Sequence, residues 1–384
     1  MKFKLYHNKK NKKLISQIEL AAQIYNHCIA LHKRYYKLYN KYIPVYTLQK
    51  HITKLKKLKK HQYWNRLDAQ AIQNVVERID KAYKLFFKKH NKRTPSFKSR
   101  HKYKSFTLKQ TGYKFFDNNH VKIGKWNFRF FKSRDIPVDN IRTVTVKRDK
   151  LGDLYLLVVC EVDETKNSVK TGKTAGFDFG LKMFLTTSDN EEIESPLFLR
   201  RSLDKLKRLH RELSTKKKGS NNRRKARLSL ARLYKKIENQ RHDFQFKLAR
   251  YLCERYDVLC FEDLSLLGMV KLWGRKVSDL SFAKFLTILE YYAQKLGKEV
   301  VKINRFFPSS KTCRHCGCIN KNLQLWERVW QCPECSEIIE RDFNAAVLIK
   351  TVGTSTVRRD SVRHSQNLVS AGAPVACILE SHEL

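Results

Sequence analysis

Two sets of side chains in this sequence have chemistry to offer: three carboxylates far apart in the chain, Asp178, Glu262 and Asp342, and four cysteines, Cys313, Cys316, Cys332 and Cys335. Asp178 lies in Thr174-Ala-Gly-Phe-Asp-Phe-Gly-Leu-Lys-Met, an apolar run with glycines at 176 and 180. A carboxylate on a strand that otherwise reads as buried is costly to desolvate unless a cation meets it, and a divalent metal is the simplest such partner. The plainer alternative is an aspartate capping the turn before Gly180. Glu262 ends the apolar run that starts at Asp257, and Asp342 stands near the start of Arg341-Asp-Phe-Asn-Ala-Ala-Val-Leu-Ile. Taken singly, Glu262 reads equally as a surface acid and Asp342 as a helix N-cap. Brought together without metal, the three would repel and raise one another's pKa, so a shared site requires Mg2+ or Mn2+. Two such ions about 3.5 to 4 Å apart would activate water and stabilise a leaving oxygen.

The cysteines read more sharply. Cys313-x2-Cys316 is followed by fifteen residues and then Cys332-x2-Cys335. Each pair can bite one tetrahedral ion while the intervening segment closes over it, which describes a structural zinc ribbon holding one Zn2+. A redox pair or free thiols are the competing explanations. His315 and Cys318 lie close by, and neither is needed as a ligand.

The elements that must carry these groups follow from periodicity. After a brief strand over 2–6, apolar residues at 14, 18, 21, 25, 28 and 29 predict an amphipathic helix, with further helices over 48–60 and 68–89. From Phe106 to Val162 short β-rich runs take over, including a hairpin around Lys150-Leu-Gly-Asp, so the early helices read as an insert after the first strand of a small antiparallel sheet or barrel. Beyond a linker at 170–173 come the Asp178 strand, a return strand over 185–193, two long helices over 197–215 and 222–255, the Glu262 strand, a helix over 282–296, a strand over 299–303, the cysteine segment and a last helix opened by Arg341. The whole is α/β with added α and β modules. A strand aspartate, a strand-end glutamate and an aspartate in a late helix are what a ribonuclease H-like sheet uses to hold two divalent ions.

Charge sets the class of partner. The 384 residues carry 80 Lys plus Arg against 36 Asp plus Glu, a formal +44, and repulsion on that scale is relieved by a polyanion, of which nucleic acid is the usual one. Gln70, Gln73, Asn74 and Lys81 on the third helix and Arg201, Arg208, Arg223, Arg224 and Arg227 on the two long helices are candidates to meet bases or phosphates. No run reaches membrane-spanning length and no signal sequence is visible at the amino terminus, so a cytoplasmic location is expected.

Taken together, Gly176-Phe-Asp-Phe-Gly, Arg241-x-Asp-Phe, Glu262-Asp-Leu, Pro308-Ser-Ser-Lys-Thr-Cys-x-x-Cys-Gly, Cys332-Pro-x-Cys and Arg341-Asp-x-Asn-Ala-Ala resemble, in that order, the TnpB family of RNA-guided DNA endonucleases of bacterial insertion sequences, ancestral relatives of type V CRISPR effectors. The resemblance runs to about residue 352. One departure is Phe246 before Lys247, where the pattern often has His. The resemblance implies a wedge β-barrel over 1–10 and 96–170, a helical recognition domain over 11–95, a RuvC-like nuclease domain over 171–307 with its final helix at 341–352, a zinc ribbon inserted at 308–340, and a flexible tail over 353–384. It further implies a guide RNA, double-stranded DNA cut beside a short adjacent motif, a monomer or dimer on the RNA, and Asp178, Glu262 and Asp342 as the catalytic acids. A nuclease-dead RNA-guided repressor and a transposase acting without RNA are the alternatives.

Overall fold

The computed structural model describes residues 1–90, 93–116, 119–161, 169–263, 274, 279–324 and 326–370, with side chains described as far as 356. The chain divides into two units, Met1–Asp163 and Glu164–Leu384. Among the described residues no helix is long and apolar enough to cross a membrane.

In the first unit, strand β1 (Lys2–Lys4) is followed by helices α1 (Asn11–Tyr39), α2 (Val45–Leu55) and α3 (Ala69–Phe87), with a 3-10 segment at Lys59–Arg66. Six strands then follow: β2 (Ser105–Leu108), β3 (Tyr113–Phe116), β4 (His120–Ile123), β5 (Trp126–Arg129), β6 (Ile141–Arg148) and β7 (Leu154–Cys160). β1 joins the sheet formed by the late strands in the order β1-β7-β6-β2, with α1 to α3 lying between it and β2 in the chain. The remaining strands form a second antiparallel sheet, β3-β4-β5, and the two sheets meet at a single bridge between Leu5 and Phe130. The expected helix over 48–60 ends at Leu55 and gives way to the 3-10 turn, where Trp64 is buried. Asp68 caps α3 by accepting from the Gln70 amide at 2.8 Å, and Val75, Ile79 and Phe106 join Leu14 and Ile18 of α1 in one core.

The second unit is built on a mixed five-stranded sheet of β8 (Thr174–Phe179), β9 (Met183–Thr187), β10 (Glu192–Glu194), β11 (Val258–Glu262) and β12 (Glu299–Ile303), in the order β10-β9-β8-β11-β12. β8, β11 and β12 run parallel, β9 returns antiparallel to β8, and β10 pairs antiparallel with β9. Helices α4 (Phe198–Arg201), α5 (Leu203–Thr215) and α6 (Asn221–Arg255) lie between β10 and β11, and α7 (Phe282–Leu296) precedes β12. Phe177 stacks on Phe261 at 4.8 Å, and with Leu248, Leu252 and Phe285 they fill the core on one face of the sheet. α6 serves two cores, because Leu230, Leu233 and Ile237 pack instead with Leu206 and Leu209 of α5.

The opposite face is covered by α8 (Arg341–Ser370), which follows a short hairpin of β13 (Val329–Gln331) and β14 (Ile338–Glu340). The helix runs on past residue 352, the end expected for it, into the stretch expected as tail. The Ser/Thr-rich stretch stays helical by turning hydroxyls onto its own carbonyls: Thr351 donates to Val347 at 3.1 Å, Ser355 to Thr351 at 2.8 Å and Thr356 to Val352 at 3.0 Å. The part of the expected tail over 371–384 lies outside the described residues.

Helix and sheet meet here without side chains between them. A Cβ at Gly176 would overlap the Ala346 carbonyl oxygen and the Lys350 amide nitrogen, and a Cβ at Gly353 would overlap the Cys260 sulfur. Gly176→Ala should therefore destabilise the fold by about 1 to 3 kcal/mol or more, since the clashing atoms are backbone and cannot swing aside. A thermal melt of the variant at the wild-type temperature would contradict this packing.

Candidate active site

Asp178 and Glu262 come to one level of the sheet by register. Phe177 pairs with Phe261 across the parallel β8 and β11, so Asp178 and Glu262 are the next residues along strands about 4.8 Å apart. Alternation turns both carboxylates away from the stacked phenylalanines and toward α8, the same face as Gly176 and Cys260. Along α8, Asp342 stands one turn, about 6 Å, before Ala346, which lies over Gly176. Asp178 stands two residues, about 6.6 Å, beyond Gly176 on the strand. The close approach of helix and strand thus brings the third acid toward the other two.

Electrostatics records the crowding. Loss of hydration first, then the charges of Asp342 and Glu262, push the Asp178 carboxyl up to about 8, with Arg341 opposing. Burial, then Asp263, raises Glu262. Asp263 itself is ion-paired with Arg305. Asp342 is held by a residue that sequence reasoning missed: Nη1 of Arg328 donates to its Oδ1 and Oδ2 at 2.8 and 3.0 Å. Nothing in the sequence distinguishes Arg328 from the other basic residues until β14 and α8 fold it against Asp342. The four cysteines offer ligand atoms that all lie within 4.8 Å of one another.

Cys313 and Cys335 Sγ lie 3.6 Å apart, and Cys316 and Cys332 Sγ 3.5 Å apart. These are too long for a disulfide and close to the roughly 3.7 Å edge of a tetrahedron with 2.3 Å Zn–S bonds. Each knuckle ends in a left-handed residue, Gly317 or Ser336, whose amide donates to the carbonyl of the first cysteine of its pair, at 3.0 Å in both cases. The Cys335 backbone amide is the main influence holding the Cys332 thiol down, whereas Cys335 and Cys316 are raised beside the other thiols. The donor set therefore fits a zinc ion.

Asn344, another residue not singled out from sequence, ties this ribbon to the acids. It is fully buried, donates to the Thr312 and Ser309 carbonyls at 2.7 and 3.4 Å, and accepts from the Arg314 amide at 3.1 Å. The Arg-Asp-x-Asn-Ala-Ala run now has a physical account: the aspartate faces the acids, the asparagine fastens the ribbon, and the buried alanines admit the strand. Arg241 of the Arg-x-Asp-Phe run is likewise structural, since it pairs at 2.6 Å with Asp279, which accepts from the Leu199 and Arg200 amides at the start of α4.

The nucleic-acid candidates divide. Gln70 turns its Oε1 into the fold, where it accepts from the amides of Lys109, Gln110 and Thr111 at 2.9 to 3.1 Å. Asn74 is partly buried, whereas Gln73 and Lys81 are exposed. Arg223 caps α5 through Nη1, which donates to the Leu213 and Lys216 carbonyls at 2.8 Å each. Arg201, Arg208, Arg224 and Arg227 are exposed.

Residues 157–272 match the family described as "Probable transposase", and residues 282–349 match one described as "Cas12f1-like, TNB domain". A Streptomyces pristinaespiralis protein named "Putative RNA-guided DNA endonuclease" is 30% identical over 345 residues, covering 84% of this chain and 85% of that one. An Escherichia coli relative named "Putative RNA-guided DNA endonuclease InsQ" is 24% identical over 347 residues, covering 86% of each. The solved Cas12f1-sgRNA-target DNA complex contains a chain similar in fold, with a TM-score of 0.58 at 17% identity over 89% of this chain and 83% of that one.

Two outcomes are expected. One zinc per chain should copurify, and Cys332→Ser should lose it, as read by elemental analysis. Because the folded Asp178 carboxyl titrates near 8 and the unfolded one near 3.8, the folded state holds the extra proton between those values. Metal-free wild type should therefore lose stability relative to Asp178→Asn as pH rises from about 4 to about 8, and Mg2+ should narrow that gap. Parallel stability curves for the two proteins would reject the crowded carboxyls.

Proposed function

We infer the reaction from the premise that this chain belongs to the TnpB family of RNA-guided DNA endonucleases: it binds a guide RNA and cleaves double-stranded target DNA by metal-dependent phosphodiester hydrolysis. Asp178, Glu262 and Asp342 would hold Mg2+ or Mn2+, and Cys313, Cys316, Cys332 and Cys335 a structural zinc. Divalent ions bound at the acids supply an activated water and stabilise the leaving oxygen. The observation that carries this reading is the raised Asp178 carboxyl, which is pushed up by burial and by both other acids and is relieved by cations.

The chain's own residues have separable tasks. The sheet fixes Asp178 and Glu262 side by side, and α8 presents Asp342 from its first turn. Arg328 orients Asp342 and brings a guanidinium to where a scissile phosphate would lie, a group whose planar N–H fork suits phosphate oxygens. Asn344 keeps the ribbon that carries Arg328 in register with α8. The first unit is assigned as wedge and helical recognition modules and the second as a RuvC-like domain interrupted by the ribbon. The adjacent motif and the RNA fall to exposed polar and basic residues such as Gln73, Lys81, Arg201, Arg224 and Arg227 together with their neighbours. A nuclease-dead repressor is disfavoured because all three acids are retained.

With the RNA that copurifies as guide, the protein should cut a plasmid carrying the matching target in Mg2+. Asp178→Ala should reduce cutting to background while RNA binding by gel shift stays unchanged. Undiminished cutting by that variant would reject the acid assignment, and only heterogeneous RNA that salt strips away would favour the transposase alternative. Arg328→Ala should lower the cleavage rate about 10- to 1000-fold with zinc content intact.

A further inference from the structure

In the first unit a cleft of about 770 Å3 opens between the amino-terminal end of α1, the 3-10 turn and the β4–β5 hairpin. Its floor is apolar, with Phe106 and Ile123 almost fully buried, and its walls bring Lys13, Arg66 and Lys125 around Trp126. The Trp126 indole is 40% exposed, and the Lys13 ammonium lies 5.6 Å from its ring centroid. Gln17, also on the wall, donates to the Arg66 carbonyl at 3.3 Å and leaves its Oε1 acceptor without a partner. The acid in the lining, Asp68, is already committed to capping α3 and packs against Gly112. The cleft therefore presents cations and an accessible aromatic face, beside one carboxylate whose Oδ1 is engaged in the α3 cap.

These features select the ligand. A free phosphate would have no use for the apolar floor or the indole, and a neutral apolar molecule would gain nothing from three cations. The volume falls within the roughly 300 to 1000 Å3 of small-ligand pockets, suited to one base with its sugar and phosphate but not to stacked pairs. Base on aromatic with phosphate on lysine or arginine is the arrangement by which single strands are held without sequence readout.

We propose that this cleft receives one unpaired nucleotide of the bound nucleic acid, its base against Trp126 and its phosphate among Lys13, Arg66 and Lys125. The inference deepens the function proposed above and rests on it, but its test reads binding, which loss of cleavage does not affect. RNA and DNA offer the same chemistry here, so both are probed. Fluorescence anisotropy would follow short labelled oligouridylate, oligodeoxythymidylate and a duplex of equal length binding to the full chain, in salt up to about 0.5 M to screen backbone contacts elsewhere. Trp126→Ala should weaken single-strand binding about tenfold with the slope of log K against log salt unchanged, Trp126→Phe should restore most of it, and duplex binding should not move. Lys125→Ala should instead reduce the salt slope by about 0.7. The strand with the larger Trp126→Ala loss identifies the source of the nucleotide. Since Trp126 is exposed, melting temperature should hold across the variants. Single-strand affinity within twofold of wild type in Trp126→Ala, or equal losses on duplex and single strand, would overturn the proposal.

Discussion

The second unit depends on one contact, the lie of α8 directly against β8 with nothing but backbone between them. Gly176 gives up its side chain so that Ala346 and Lys350 can approach, and Gly353 does the same over Cys260. Any ordinary residue at 176 would lift the helix, and Asp342 would leave with it. The glycine has an energetic role as well as a steric one, since a helix at this separation excludes water from the Asp178 carboxyl and raises the cost of its charge. The same close approach creates the site and makes it dependent on cations.

A second constraint acts through Asn344. Its three hydrogen bonds join the first knuckle of the ribbon to the first turns of α8, so the ribbon's geometry is communicated to Asp342 through Arg328 on one side and through Asn344 on the other. The ribbon is small, with Leu323, Trp330 and Ile339 as its core, and a core of that size needs a metal to hold its shape. The cysteine cluster and Asp342 are therefore coupled through hydrogen bonds to the same helix.

The sequence made the alternation of β8 and β11, the cysteine spacing and the long amphipathic helices legible, because each is a local pattern with a fixed period. The presence of β1 in a sheet with strands a hundred residues later was also readable, from the break between helical and β-rich runs. Other features were not visible. The capping role of Gln70 depends on a loop at 109–111 folding over it, and Arg223 becomes a helix cap only once α5 ends beside it. Both look from sequence like free polar surface, since partners outside their own helices decide how each side chain is engaged. The extension of α8 past 352 was masked by composition: serine and threonine usually signal loops, yet their hydroxyls can be absorbed by the helix that contains them.

The length of α6 has a mechanical consequence. Its 35 residues rise about 52 Å, and only the carboxyl-terminal part, around Gln245, Leu248 and Leu252, is set in the sheet core. The amino-terminal half is braced by α5 and the short α4, through a small separate patch. A stiff rod clamped at one end is a lever: a load applied at Asn221 arrives at the root as torque, where the Arg241–Asp279 ion pair and the Gln245 contacts must resist it. Buried ionic and amide contacts at that pivot are what such a moment arm demands, because apolar packing yields to sliding more readily than directional bonds do.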